Sequence, residues 1–358
     1  MADNPDYMNI PISGNELEPI PDNEDVFAPS IFFGKSPSTY TLLRNNVATN
    51  LLTKIETNKE RYDFNTGVLV IELDPLTVIL EEYGDGRELR QSTSMLFDLL
   101  TEELTRTGAK ELAITLDFDE YMRKCGLSDP KSAREQVRAD LRTLHNLSLS
   151  IPKSALTRNK QMTGEYLFHV LRKAFYDDKI ISVRFDEDFL SIMADSPVMS
   201  IDLALFKVDK RRNPNAYYLG RKAHEHKNMN IGKRNEDIIA VKTLLKICPK
   251  IPTYEEVRAS NRHFTDRIIE PFERDLKALS NIFTWEYCHR NGEPLSDDEL
   301  AILDYDTFIK LNVRLYWLNY PDQTKRLENK KKRELAEKRK QARKEKREAG
   351  KARQGSLV

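Results

Sequence analysis

Apolar residues recur at helical spacing through residues 253–279, and that stretch organises the reading of the chain. In TYEEVRAS, Thr253 followed by Glu256 is a capping box and predicts a short helix. After a break at 260–262, Phe264, Ile268, Phe272, Leu276 and Leu279 share one face of a second helix. Two helices joined by so short a turn predict a helix-turn-helix. Ile282, Phe283, Trp285 and Tyr287 then read as a strand, followed by an Asn291-Gly292 turn and a second strand over 313–318. Helix, turn, helix and flanking strands make a winged helix. Its two wing strands are separated by an insertion between 292 and 312, with a short helix over 296–303.

A similar order occurs earlier. A helix is expected from Ser38 into the 50s, a strand over 67–73 and a turn at Gly84-Asp85-Gly86. Ser92 opens a helix carrying Met95, Leu96, Leu99, Leu100 and Leu104 on one side and ending at Gly108. Leu112, Ile114 and Leu116 alternate as a half-buried strand does. Asp117 begins a short helix that stops at Gly126, and Ser128 caps a longer one, DPKSAREQVRADLRTLHN. The strand LSLSI, a polar loop over 152–162, the strand YLFHVL, a turn at Asp177-Asp178 and the strand IISVRF complete the set. Arg211-Arg212-Asn213-Pro214-Asn215 reads as a junction, followed by helices over 216–227 and 235–248. The fold class expected is α+β: two tandem winged-helix domains over 36–210 and 211–321, an acidic flexible arm over 1–35 and a basic tail over 322–358.

Composition sharpens this plan at the ends. With 57 Lys and Arg against 57 Asp and Glu, the net charge of zero conceals segregation. Before Lys35 no side chain is basic, whereas Asp3, Asp6, Glu16, Glu18, Asp22, Glu24 and Asp25 are acidic. The tail is dominated by Lys and Arg from Lys325 to Arg353 and has almost no apolar side to bury. Cys125, Cys248 and Cys288 lie far apart without a CxxC pair, which argues against a disulfide scaffold or structural zinc and fits a reducing cytoplasm. No apolar run is long enough to cross a bilayer and no signal-peptide core is present, so a cytoplasmic protein without membrane association is expected.

Two groups of residues suit nucleic acid. Lys131, Arg134, Arg138 and Arg142 recur at steps of three and four, a basic stripe separate from the apolar face of Ala133, Val137, Leu141 and Leu144. Such a stripe can follow DNA phosphates, giving register and affinity rather than sequence reading; a solvated face partnered by Glu135 and Asp140 is the plainer alternative. In the later helix-turn-helix, the residues placed to reach base edges are Asn261, Arg262, His263, Thr265, Asp266 and Arg267. Arg pairs with guanine and Asn with adenine through two bonds, each worth about 1–3 kcal/mol of discrimination. Arg258, Arg274 and Lys277 are the phosphate candidates of that unit. Ordinary surface residues beside Asp266, Glu270 and Glu273, with His263 as a cap, are the alternative. Pro271 interrupts the helix: either the helix bends there or Pro271 begins a second one.

The run DRIIEPFERDLKAL, with its internal proline, resembles the second winged helix of plasmid replication initiators that bind repeated origin sequences (iterons). SAREQVRADLRTLHNLSLSI followed by a hairpin resembles their first, and NPNAYYLGRKAHEH lies where that family begins its second domain. The likeness spans residues 40–320 and is strongest to initiators of Gram-positive plasmids and mobile elements. It implies a protein whose second domain reads a direct repeat in the major groove of double-stranded DNA, while the first grips neighbouring backbone and supplies a homodimer contact. It implies origin opening, recruitment of host replication proteins, and repression of the initiator's own gene. The arm and tail depart from that compact plan; the tail either adds salt-sensitive affinity or only solubilises.

Three other functions compete. A transcriptional regulator would use the same two winged helices, and a protein-binding module would use them for protein contacts. A metal-dependent nicking enzyme would need a His-hydrophobic-His motif and a nucleophilic tyrosine. The nearest match, His224-Glu225-His226, lies on a helix where alternate residues point about 200° apart, and Tyr217 and Tyr254 read as packing residues. No GxxxxGK[ST] loop occurs. The expectation is a binding protein without catalytic residues, cofactor or metal.

Overall fold

The computed structural model describes residues 39–45, 49, 62–63, 68–73, 76–80, 90–107, 113–152, 163–194, 196–260, 263–296, 298–299 and 303–321. The expected acidic arm and basic tail lie outside these residues, as do the GDG turn and most of the polar loop after Pro152.

The protein is a mixed α+β structure. Its first part contains β1 (Tyr40–Arg44), β2 (Tyr62–Asp63), β3 (Val68–Leu73), β4 (Leu76–Leu80) and α1 (Gln91–Arg106). Of the helix expected from Ser38 into the 50s, Tyr40–Arg44 are instead strand β1, while Thr49 is helical; β1 pairs antiparallel with β10 (Val198–Asp202), from Tyr40↔Asp202 to Arg44↔Val198. A partner so distant in sequence leaves no local signal. Arg44, buried, donates from its guanidinium to the carbonyls of Met193 (2.8 Å) and Ala194, satisfying the end of α4 (Glu187–Ala194).

After α1 come β5 (Ala113–Asp117), α2 (Phe118–Cys125) and α3 (Pro130–His145). Asp117 caps α2 by accepting from the Glu120 N–H, and Gly126 ends it with φ 64°, a left-handed conformation suited to glycine. The cap of α3 is Asp129, accepting from the Lys131 N–H, with Pro130 in the first turn; the expected cap, Ser128, sits one residue too early. Nor does Ser92 cap α1, whose N-cap Arg90 makes no side-chain cap bond; Ser92 bonds Asp140 instead.

β6 (Leu147–Pro152) and β7 (Glu165–His169) join β2, β3 and β4 in an antiparallel sheet of order β2-β3-β4-β6-β7. YLFHVL is therefore not one strand. The chain breaks at Val170, and β8 (Leu171–Tyr176) leaves for a different sheet, with β9 (Ile180–Phe185) and β5 in the order β5-β9-β8. Asp177 shapes the β8–β9 turn by accepting from the N–H groups of Lys179 (2.7 Å) and Ile180 (2.8 Å).

The second part repeats the order α1-β5-α2-α3-β8-β9, with no counterpart of β6 and β7 among the described residues. α5 (Ala216–Asn230) leads to β11 (Ile238–Ala240), α6 (Val241–Leu245), α7 (Tyr254–Ala259), a π turn (Thr265–Ile269), α8 (Glu270–Lys277), β12 (Phe283–Cys288), α9 (Tyr305–Phe308) and β13 (Asn312–Trp317). The helix expected over 235–248 is mostly β11 and α6; β11 is short enough to hide inside a helical pattern. The sheet order is β11-β13-β12, first strand, third, second, as in β5-β9-β8.

One continuous apolar core runs through both parts, and α1 is buried along nearly its whole length. The joint between α1 and α5 is polar at its centre. Asp98 accepts from the Tyr217 hydroxyl and from Arg221 Nε at 2.8 Å and Nη2 at 3.3 Å, all three residues being buried. Beside it, Asn215 donates from its backbone (3.0 Å) and side chain (2.7 Å) to Asp275 of α8. The predicted junction over 211–215 forms a tight turn, in which Asp209 accepts from the N–H groups of Arg211 and Arg212.

Candidate nucleic-acid interface

In the second part, the capping box is present: Thr253 Oγ1 accepts from the Glu256 N–H and Glu256 Oε2 from the Thr253 N–H. Val257 turns α7 onto the core and leaves Arg258 exposed. Asn261 and Arg262 lie outside the described residues. His263, Thr265, Asp266 and Arg267 are all exposed, on the side opposite buried Ile268, Phe272 and Leu276.

Pro271 is absorbed by a change of helical pitch. The Glu270 N–H bonds the Thr265 carbonyl five residues back, and α8 then starts with Pro271 in its first turn. The wider turn gives the ring room that an α-helical carbonyl four residues back would deny, and proline lacks only an N–H. The bend and the new start are thus one device.

The phosphate candidates divide. Arg258 and Lys277 are exposed and make no ion pair among the described residues. Arg274 donates from Nε and Nη2 to Asp275 Oδ1, each at 3.1 Å, so its half-exposed guanidinium is tethered to the buried Asn215–Asp275 contact. Tyr287 of β12 donates to Glu273 at 3.0 Å, fixing α8 to the sheet; burial raises the pKa of both groups.

In the first part, Ala133, Val137, Leu141 and Leu144 all face the core as the spacing predicted. Lys131, Arg138 and Arg142 are exposed and have no ion-pair partner among the described residues. Arg134 differs: it pairs with Asp178 of the β8–β9 turn at 3.0 Å and lies 5.6 Å from the centre of the Phe118 ring. Arg138 and Arg142 edge an open cleft of about 400 Å³ between α3 and β8, with Leu141, His145, Asn146, Ala174 and Tyr176. Asp140, expected beside the stripe, turns inward instead. It accepts from Thr93 (2.6 Å), Ser92 (3.0 Å) and Gln136 (3.1 Å), and burial pushes its pKa up to about 6 against those donors.

The two histidines of the motif considered for metal have separate engagements. His224 Nε2 accepts from the Asp202 N–H at 3.1 Å, which places the proton on Nδ1, 2.7 Å from the Gly220 carbonyl. His226 Nε2 lies 2.8 Å from the Asn235 carbonyl. Tyr217 is buried in the α1–α5 joint, and Tyr254 stacks on Tyr305. All three cysteines are buried as free thiols, with burial pushing Cys125 up to about 11. Among the described residues no helix is long and apolar enough to cross a membrane.

Sequence reasoning missed the aromatic cluster contributed by the insertion. Tyr305 stacks on Tyr254 with centroids 4.0 Å apart and planes within 5°, and meets Phe264 edge-on at 6.2 Å. Phe308 then contacts Phe272 and Tyr287, each at 6.0 Å. The only sequence signal was an aromatic pair three residues apart in an otherwise acidic loop.

No family model matches the sequence, and no curated protein matches it. Among solved structures, a selenomethionine derivative of domains 2 and 3 of RctB aligns with TM-score 0.41 and 10% identity, over 75% of this chain and 97% of that one. A second structure of RctB domains 2–3 aligns with TM-score 0.36 and 8% identity, over 70% and 90%. Likeness of that degree leaves the chemistry to be read from this chain's own residues.

Proposed function

We propose that this chain is a double-stranded DNA-binding replication initiator built on two winged helices, without catalysis of its own. The observation that carries the reading is a repeated topology. Twice a helix leads to a strand, to further helices and to a hairpin, with sheet order first–third–second. Each time, the last helix before that unit's sheet hairpin exposes cations: Lys131, Arg138 and Arg142 on α3, and Arg267 and Lys277 on the later helical stretch.

In this reading the second unit lays residues 263–267 against base edges in the major groove, while Arg258, Arg274 and Lys277 meet phosphate. The first unit lies along neighbouring backbone. The resemblance of DRIIEPFERDLKAL and SAREQVRADLRTLHNLSLSI to iteron-binding initiators supports a repeated origin sequence as the target, with plasmid or mobile-element replication as the setting. A nicking role is disfavoured by the separate engagements of His224 and His226.

Selection of bound duplexes from a random pool tests this directly. The expected result is enrichment of one short sequence, recurring in tandem within selected duplexes, with uncut strands in the presence of magnesium or manganese. Retention without any enriched sequence would remove the base-reading role, and strand cleavage would overturn the non-enzymatic one.

A further inference from the structure

We infer that Tyr305, in the insertion between the last two strands, is a positioning residue for sequence reading. This rests on the DNA-binding reading above and adds a specificity determinant distant in sequence from the helix-turn-helix. A hairpin needs only a few connecting residues; this connection spans 289–311 and includes a helical turn that Asp304 caps, accepting from the Thr307 N–H at 2.7 Å. Tyr305 is the first residue of that turn. Its ring meets Tyr254, which opens α7, and Phe264, which precedes the π turn. One side chain therefore touches both helices of the helix-turn-helix, fixing the offset between Arg258 on one and His263, Thr265 and Arg267 on the other.

The place of the stack in the core separates positioning from folding. Phe308, Phe272 and Phe283 are fully buried, and Tyr287 nearly so, and they hold the sheet to α8. Tyr305, Tyr254 and Phe264 are only partly buried and form a layer outside that core. The Tyr305 hydroxyl makes no hydrogen bond among the described residues, so the flat ring is the working part. Base contacts need placement finer than an ångström, whereas phosphate contacts by long cationic side chains tolerate shifts.

The test uses the full chain with Tyr305→Ala and Tyr305→Phe, on duplex enriched from the random pool by the wild-type protein and on random duplex of equal length. Tyr305→Ala should lose about tenfold affinity for the enriched duplex, the worth of one misplaced two-bond base contact. Its affinity for random duplex should hold, and Tyr305→Phe should bind both as wild type does. Should Tyr305→Ala fail to fold, Tyr305→Leu, which fills the site without a flat face, carries the same expectation. Equal losses on both duplexes, no loss on either, or a Tyr305→Phe as poor as Tyr305→Ala would overturn the assignment. If the wild-type chain enriches no sequence, the base-reading proposal fails first and this one falls with it; enrichment with an indifferent Tyr305 removes this one alone.

Discussion

Helix α3 and the helical stretch over 265–277 occupy the same place in two copies of one element order, yet they are built differently. α3 is a regular helix of 16 residues, with a proline start, an unbroken apolar face and cations set along its outer side. The later stretch changes pitch at Thr265–Ile269, restarts at Glu270, and exposes a mixture of His263, Thr265, Asp266, Arg267 and Glu270. A straight row of like charges suits a repeating backbone of phosphates. A short, mixed and rigidly braced surface suits base edges, where hydrogen-bond direction decides. In the function proposed above, this difference corresponds to grip by the first unit and reading by the second, and the buried joint between them would set their separation.

That fixed separation can be broken at its centre. Arg221→Met removes the cation from Asp98, which is 0% exposed and then keeps only the Tyr217 hydroxyl among its described partners. Removing one member of a buried ion pair costs about 3–5 kcal/mol, because the other charge remains buried and uncompensated. Urea unfolding of Arg221→Met should show a loss of this size. If the joint couples the units, wild type and variant each unfold in one transition. A loss below about 1 kcal/mol, a value typical of solvated pairs, would mean the units are not held through this contact.

The joint was also the part least legible in the sequence. Asp98 and Arg221 lie 123 residues apart, and neither interrupts the local pattern around it. The apolar faces, by contrast, were legible because periodicity reports burial directly: Ala133, Val137, Leu141 and Leu144, and Ile268, Phe272, Leu276 and Leu279, all face inward. The Thr253–Glu256 box and the Asp117–Gly126 pair of stops were also readable, being chemistry within one turn. Elements defined by remote partners were not: β1 depends on β10, and the break at Val170 depends on which sheet receives each half of YLFHVLRKAFY. The stripe of Lys131, Arg134, Arg138 and Arg142 was legible as a face, but Asp178, which engages Arg134, comes from a turn that the pattern could not bring near. The stack of Tyr305 on Tyr254 was hidden for the same reason.

Acid sharpens the contrast between units, since a buried histidine in one and a buried carboxyl in the other respond to it in opposite directions. His224, at the joint, is pushed down to about 4, chiefly by burial and further by Arg221. Its neutral form is favoured in the folded state, so its contribution is full above pH 6.5 and is lost as pH falls towards 4. The change amounts to about 3 kcal/mol. Asp140 in the first unit, pushed up to about 6, works the other way: its contribution is full below pH 3.8 and is lost as pH rises through 6. The two largely cancel in the wild-type curve. Comparing wild type with His224→Gln at each pH removes the Asp140 part. The variant should be less stable at pH 8, and the gap should narrow by about 3 kcal/mol by pH 4. A constant gap would mean that His224 titrates alike in the folded and unfolded protein, and a gap that widens in acid would mean that the fold favours its charged form.

The smallest effects bear most directly on grip against reading. Arg267→Ala should weaken binding to the enriched duplex by about 1–3 kcal/mol and leave random duplex nearly unchanged, because base contacts add little where no base is matched. The pair Arg138→Ala and Arg142→Ala should weaken both duplexes alike and lower the slope of log affinity against log salt by about 2, one for each phosphate left without its cation. Arg134→Ala is the control within the stripe. Its guanidinium is already spent on Asp178 and the Phe118 ring, so the slope should stay as in wild type. Should Arg134 prove as costly as Arg138, the Asp178 pair must open on DNA, and the β8–β9 turn would then belong to the contact surface. Should Arg267 weaken both duplexes equally, the second unit grips as the first does, and the difference in construction between the two helices is not a difference in task.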